Sequence, residues 1–90
     1  MMPIEAVEKI SAALADTNRL KILEEISKRG SVTCSEAQEL TPLAQPTVSH
    51  HIKTLIECGL VTSEKDGRCV RLSIHKKKLE EYREFFKNLS

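Results

Sequence analysis

The run Gln45-Pro46-Thr47-Val48-Ser49-His50-His51 concentrates amide, hydroxyl and imidazole groups, which donate and accept hydrogen bonds without carrying a fixed charge. At the helical spacing of about 100° per residue, Val48, Ile52 and Leu55 gather on one face. Thr47, His50 and Thr54 lie opposite, with Ser49 and Lys53 toward one flank. A helix that is aliphatic on one side and hydrogen-bonding on the other can enter the DNA major groove, where each base pair shows a distinct pattern of donors and acceptors. Thr47, Ser49 and His50 are therefore expected to reach base edges, and a Thr methyl can also touch the thymine methyl. Gln45, at the helix start, can bond a phosphate or an adenine, and Thr54 shares the outer face. Lys53, together with Lys65 and Arg68 downstream, is expected at phosphates, where it adds affinity without sequence preference. His51 turns toward the aliphatic stripe, which predicts a packed, hydrogen-bonded structural role. The competing reading for each outer residue is a solvated surface side chain.

A helix over 45–58 needs a scaffold, and the sequence supplies one. Ile4, Val7, Ile10 and Leu14 form a stripe, predicting a first helix from Ile4 to Ala15. Asp16 is a good N-cap for a second helix over 17–28, closed by Gly30, with Leu20, Leu23 and Ile26 facing one way. Thr33 and Glu36 have capping-box spacing for a short third helix that stops before Pro42. Pro46 fits the opening of the fourth, because its missing N–H is harmless there and its φ is preset. Two helices joined by a short connector, the second with a polar outer face, have the helix-turn-helix layout. Leu60–Glu64 and Arg68–Ile74 read as strands around an Asp66-Gly67 turn, with Val70, Leu72 and Ile74 alternating inward. The expected fold is mainly α with a two-stranded β-hairpin, a winged helix-turn-helix in the order ααααββα, spanning residues 1–90 as one domain.

The last predicted helix, His75 to Asn88, holds Tyr82, Phe85 and Phe86, the only aromatics in a chain without Trp. Leu79, Tyr82, Phe86 and Leu89 have heptad a/d spacing. A chain of this size buries only about 60–65% of its unfolded surface, so a second subunit is a natural source of further burial. The helix is read as an interface, the alternative being intramolecular packing on the first helix.

Net charge is +1, but it is unevenly spread. Residues 42–78 carry seven Lys/Arg against three Asp/Glu, whereas residues 1–41 carry five against seven. The basic segment coincides with the polar helix and the hairpin, as an electrostatic footprint for nucleic acid should. No apolar run reaches about 18 residues, and Met1-Met2-Pro3-Ile4-Glu5 lacks the pattern of a signal peptide. No membrane partner is expected, and the expected compartment is the cytoplasm. Cys34, Cys58 and Cys69 make an odd count with no Cys-x-x-Cys, which argues against a disulfide framework and against a thiolate zinc site built from adjacent ligands, leaving open only a site that shares Cys34 with residues of a second subunit. Cys34 is expected at a helix first turn, where backbone N–H groups can lower a thiol pKa, so it is the leading candidate for redox chemistry. Cys58, at the end of the polar helix, could disturb binding if oxidised. No acid/base pair, phosphate loop or metal triad is visible, so neither an enzyme nor a cofactor nor a metal site is expected. A winged helix that binds proteins rather than DNA stays open as the second reading.

Three segments give the chain a resemblance to the ArsR/SmtB family of bacterial metal- and stress-responsive repressors. They are Leu14-Ala15-Asp16-Thr17-Asn18-Arg19-Leu20-Lys21-Ile22-Leu23, then Gln45 to Leu55, then Gly59-Leu60-Val61 followed by Lys65-Asp66-Gly67-Arg68. The resemblance covers about residues 6–75. It implies a homodimer whose terminal helices, here carrying Ile4, Val7, Leu79, Tyr82, Phe85, Phe86 and Leu89, form the interface. It further implies a repressor on an inverted-repeat operator in double-stranded DNA, released by an inducer. The family's metal sensors often place Cys-x-Cys in the third helix, where this chain offers Cys34 alone. Another of the family's site types uses Asp and His pairs along the last helix, where this chain has only His75 at the start. Its thiol sensors generally use a second, resolving cysteine, and none follows Cys69 here. The inducer is therefore unknown from the sequence.

Overall fold

In a computed structural model that describes residues 2–90, the elements run α1 (Ile4–Leu14), α2 (Thr17–Arg29), β1 (Val32–Thr33), α3 (Cys34–Glu39), α4 (Gln45–Glu57), β2 (Val61–Asp66), β3 (Cys69–Ile74) and α5 (Lys76–Lys87). Met1, which the sequence reading included in the domain, lies outside the described residues. The helices start where local chemistry can satisfy their free N–H groups. Asp16 accepts from the amides of Asn18 at 2.9 Å and Arg19 at 3.1 Å, opening α2. Thr33 and Glu36 complete the reciprocal capping box of α3. His75 accepts from the Lys78 amide at 3.0 Å, opening α5 one residue later than the sequence suggested.

The sheet has three strands, not two, in the order β1-β3-β2, all antiparallel. The added strand is Val32–Thr33, which pairs with Leu72 and Arg71. Two residues carry no readable alternation. They become a strand only because the chain passes β3 on its way into α3, and Val32 is fully buried there. The hairpin turn also shifts by one residue. Asp66 pairs with Cys69, so the central pair is Gly67-Arg68. Gly67 has φ +65°, and no described non-glycine residue has positive φ. A turn with positive φ at its first central position only has the type II′ pattern, which spares Arg68 a left-handed backbone.

Two buried groups hold the layers together. Ile22, Ile26, Val32, Ala37, Val48, Ile52, Leu55, Val61 and Leu72 join α2, α3, α4 and the sheet. Met2, Val7, Ile10, Ala13, Cys58 and Leu60 tie α1 to the region just after α4, with Tyr82 and Phe85 of α5 packed on them. The inward stripe of α2 is Ile22 and Ile26 rather than Leu20, which is 49% exposed. Both stripes have helical spacing, and the position of α4 selects between them. Val70, expected inward, is exposed at its pairing with Lys65 near the wing tip, beyond the reach of the helices. Among the described residues no helix is long and apolar enough to cross a membrane.

The caps make acid sensitivity testable. Hydrogen bonds from the Arg19 amide hold the Asp16 carboxyl below its ordinary value, and those from Thr33 do the same for Glu36. A carboxylate with a depressed folded pKa stabilises the fold above its unfolded pKa, and that contribution fades as pH falls through the folded value. Thermal melts from pH 7 downward are expected to hold level until about pH 4–5 and then decline. Asp16→Asn with Glu36→Gln keeps acceptors at both caps but cannot titrate, so its melting curve should vary less with pH across that window. Equal slopes for the two proteins would rule out the caps as the source.

Candidate nucleic-acid interface

Two mechanisms position α4. Its inner residues Val48, Ile52 and Leu55 are buried in the main core, so that side cannot face a ligand. Its entry is fixed by the α3–α4 connector, where the Gln38 side-chain amide donates to the Leu43 carbonyl at 2.8 Å. The Leu43 amide in turn meets the buried Thr41 hydroxyl at 3.4 Å. Pro46 is the second residue of the helix, after Gln45.

What remains outside α4 agrees with the wheel drawn from the sequence. Gln45, Thr47, Ser49, His50 and Lys53 are exposed, and Thr54 is half-buried. They fall in two rows. Gln45, Ser49 and Lys53, four residues apart, border a groove of about 560 Å³ between α3 and α4. Thr47, His50 and Thr54 form the other row, and His50 and Thr54 border a smaller depression against α1 and α2, with Lys9 and Arg19. The only acid of α4, Glu57, is its last residue. The N-terminal three turns therefore present an uninterrupted neutral-to-cationic polar surface. Lys65 lies on β2 and Arg68 in the turn, both exposed. Among the described residues Lys53, Lys65 and Arg68 enter no ion pair, whereas Arg71 is occupied by Asp66 at 3.4 Å and by Ser31 at 3.1 Å.

His51 takes the structural role expected of it. It is 7% exposed, and its Nδ1 lies 3.0 Å from Arg19 Nη1. Arg19 also donates through Nε to the Ala13 carbonyl, and Asp16 Oδ1 stands 4.0 Å from His51 Nε2. The sequence reading missed Arg19 and Gln38. A signal existed for Arg19: it precedes Ile22 and Ile26 by three and seven residues, which places a guanidinium on a buried stripe.

The cysteines depart from expectation. Partial burial pushes the Cys34 thiol up, against the expected lowering at a helix first turn. The side chain packs on the main core, and desolvation disfavours the thiolate there. Cys58 is buried, with its thiol donating to the Leu55 carbonyl at 3.2 Å, while Cys69 is exposed on the wing. With a thiol-specific reagent at neutral pH and mass spectrometry of peptides, Cys69 is expected to label first, Cys34 slowly and Cys58 last. Labelling of Cys34 ahead of Cys69 would show an activated thiol and overturn this order.

The candidate interface residues of the terminal helices separate into two sets. Val7 is buried within α1's own packing, and Tyr82 and Phe85 are half-buried against it, with the Tyr82 hydroxyl 2.8 Å from Ser11 Oγ. Ile4, Leu79, Phe86 and Leu89 stay on the surface, with exposures of 72, 37, 46 and 69%. The heptad stripe thus serves two sides of α5, one turned to α1 and one outward.

Residues 16–63, from the α2 cap into β2, match the family described as bacterial regulatory protein, arsR family. The chain is 44% identical over 62 residues to a probable mercury resistance operon repressor of Streptomyces lividans, covering 69% of this chain and 49% of that protein. It is 38% identical over 66 residues to an arsenical resistance operon repressor of Staphylococcus aureus, covering 73% and 62% respectively. The chain thus spans about half the length of the first relative and about three-fifths of the second. The fold superposes on an ArsR-like transcriptional regulator from Rhodococcus sp. RHA1 with a TM-score of 0.85 and 27% identity, covering 96% of this chain and 80% of that one. A polar helix seated on an aliphatic core, a wing beside it and a family match that runs from the α2 cap through α4 to the start of the wing place this chain in the arsR family of bacterial regulatory proteins.

Proposed function

We propose that this chain is a sequence-specific DNA-binding repressor that acts as a homodimer on an inverted repeat, with residues 1–90 as its winged-helix domain. The observation that carries the reading is the surface of α4: every outward residue in its first three turns is polar or Pro46, while its inner face is buried. Thr47, Ser49 and His50 are assigned to base edges, with Thr54 beside them, and Gln45 to a phosphate or an adenine at the helix entry. Lys53, Lys65 and Arg68, in no ion pair among the described residues, are assigned to phosphates. The relatives carry the names probable mercury resistance operon repressor and arsenical resistance operon repressor, which supports repression as the outcome of binding.

The dimer reading rests on Ile4, Leu79, Phe86 and Leu89, apolar side chains left outward on the two terminal helices. Because Tyr82 and Phe85 already pack within the chain, the informative changes are Phe86→Glu with Leu89→Glu. Both residues are exposed, so the fold should survive while light scattering falls from twice the chain mass to the chain mass. A wild-type chain that is monomeric at micromolar concentration would remove the dimer.

Fluorescence anisotropy with the DNA upstream of the chain's own gene, against scrambled DNA and across a salt series, tests the DNA reading. Preference for the native DNA that weakens as salt rises is expected, since bound phosphates release counterions. Equal, weak binding to both would leave a basic patch alone and move the protein-binding alternative ahead.

A further inference from the structure

The apolar contacts of α4 fix which side of the helix faces the core, but they set its fine rotation less sharply than a hydrogen bond does. Burial of Val48, Ile52 and Leu55 keeps the stripe inward, but because hydrophobic burial is non-directional it penalises a small turn about the axis only weakly. Directional bonds are what discriminate between rotations. Among the described residues, a single side chain on the inner side of α4 makes such a bond to another helix: His51, to Arg19.

The geometry of that contact is restrictive. A guanidinium has donors only, so the Nδ1 that meets Arg19 Nη1 at 3.0 Å must carry the lone pair, leaving the proton on Nε2. That proton sits on the side of Asp16, whose Oδ1 is 4.0 Å away and already accepts the α2 capping bonds. Arg19 is in turn held by the Ala13 carbonyl at the end of α1. The imidazole is thus docked to a guanidinium that α1 and α2 orient jointly. His51 immediately follows His50, and Thr47 and Thr54 lie four residues before and three after it, on the same flank of the helix. A turn of α4 at His51 displaces all three.

We propose that Arg19 and His51 are positioning residues for DNA readout. The Arg19–His51 bond sets the rotation of α4 against the α1–α2 junction, and so sets where Thr47, His50 and Thr54 meet the bases. The inference rests on the DNA reading above for its consequence but not for the bond itself, and the test separates the two.

Nitrogen-15 spectra of the labelled wild-type protein at neutral pH come first, because they need no DNA. They are expected to show His51 as the Nε2–H tautomer with a bare Nδ1. An Nδ1–H tautomer or an imidazolium would overturn the proposal. Three variants follow, each checked for a cooperative melt. His51→Asn places an amide oxygen near the Nδ1 position, His51→Gln places it near Nε2, and Arg19→Met removes the donor. The ratio of native to scrambled DNA affinity is expected to stay within about twofold of wild type for His51→Asn, the range of a neutral change. It should fall about tenfold or more for His51→Gln and Arg19→Met, the scale of one misplaced base contact, while scrambled-DNA affinity holds. Equal ratios for His51→Asn and His51→Gln, whether kept or lost, would mean that acceptor position does not matter and would sink the proposal. If wild-type protein itself shows no preference for native DNA, the DNA reading fails. Amide exchange across residues 47–54 then decides the bond alone: faster exchange in His51→Gln than in His51→Asn supports it, and equal exchange refutes it.

Discussion

Replacing Thr47 or His50 with alanine is expected to lose about 1–3 kcal/mol of discrimination at one base pair of the operator, while binding to scrambled DNA changes little. Both side chains are exposed on α4, so neither change removes core contacts and the fold should be untouched. The two losses should fall at different base pairs, since the residues stand nearly one helical turn apart, about 4.5 Å along the axis. Lys65→Ala or Arg68→Ala should behave differently. Each should weaken all sequences alike and shallow the salt dependence by about one phosphate contact. The measurement is anisotropy against an operator series with single base-pair changes at fixed salt. A uniform loss on every sequence for Thr47→Ala and His50→Ala would assign these residues to the backbone and remove them from readout.

The largest expected effect on stability comes from Leu55→Ala, about 2–5 kcal/mol. Leu55 is fully buried where α4 meets the rest of the core, and the surrounding helices and strands can close only part of the space it leaves. Domains of this kind have only about 5–15 kcal/mol to lose. Each kcal/mol moves the melting point of a domain this size by about 4–8 °C, so a drop of at least about 8 °C is expected. Chemical denaturation at fixed protein concentration should show a lower midpoint with an unchanged slope, because the surface exposed on unfolding is nearly the same. Val70→Ala, on the exposed wing, is the control and should stay within about 0.5 kcal/mol of wild type. A loss below about 1 kcal/mol for Leu55→Ala would mean that α4 is not anchored through this side chain.

Much of the architecture was legible because it depends on short-range chemistry. Asp16, the Thr33–Glu36 pair and Pro46 mark helix starts through bonds or backbone restrictions within three residues of themselves. The outer and inner faces of α4 were legible for a related reason, since a helix fixes which side chains share a face before any partner is known. The hairpin was visible from its Gly67, yet its register was not. Both Asp66-Gly67 and Gly67-Arg68 can be turn centres in a sequence, and the pairing of Asp66 with Cys69 selects the second.

Several of the readings that needed correction concern which of several acceptable faces meets the core. Leu20 and Ile22 are equally apolar, and only the seat of α4 on α2 buries the second and leaves the first outside. Tyr82 and Phe85 fit an intermolecular stripe as well as they fit α1, and within the chain both are half-buried on the cluster that α1 builds, with Tyr82 bonded to Ser11. Cys34 has the helix position of an activated thiol, but its burial beside the core reverses the effect.

By itself, then, the sequence determined where helices begin, which side of α4 is free to meet a ligand, and that the free side bonds through neutral polar groups with Lys53 at its flank, because these are properties of residues within a turn or two of one another. Only the tertiary structure decided that Val32 and Thr33 complete the sheet, that Phe86 and Leu89 stay exposed while Tyr82 and Phe85 pack beside α1, and that Arg19 grips His51. Those outcomes join residues as far as 71 positions apart in the chain, and no local preference can express a competition among surfaces that meet only after the chain has folded.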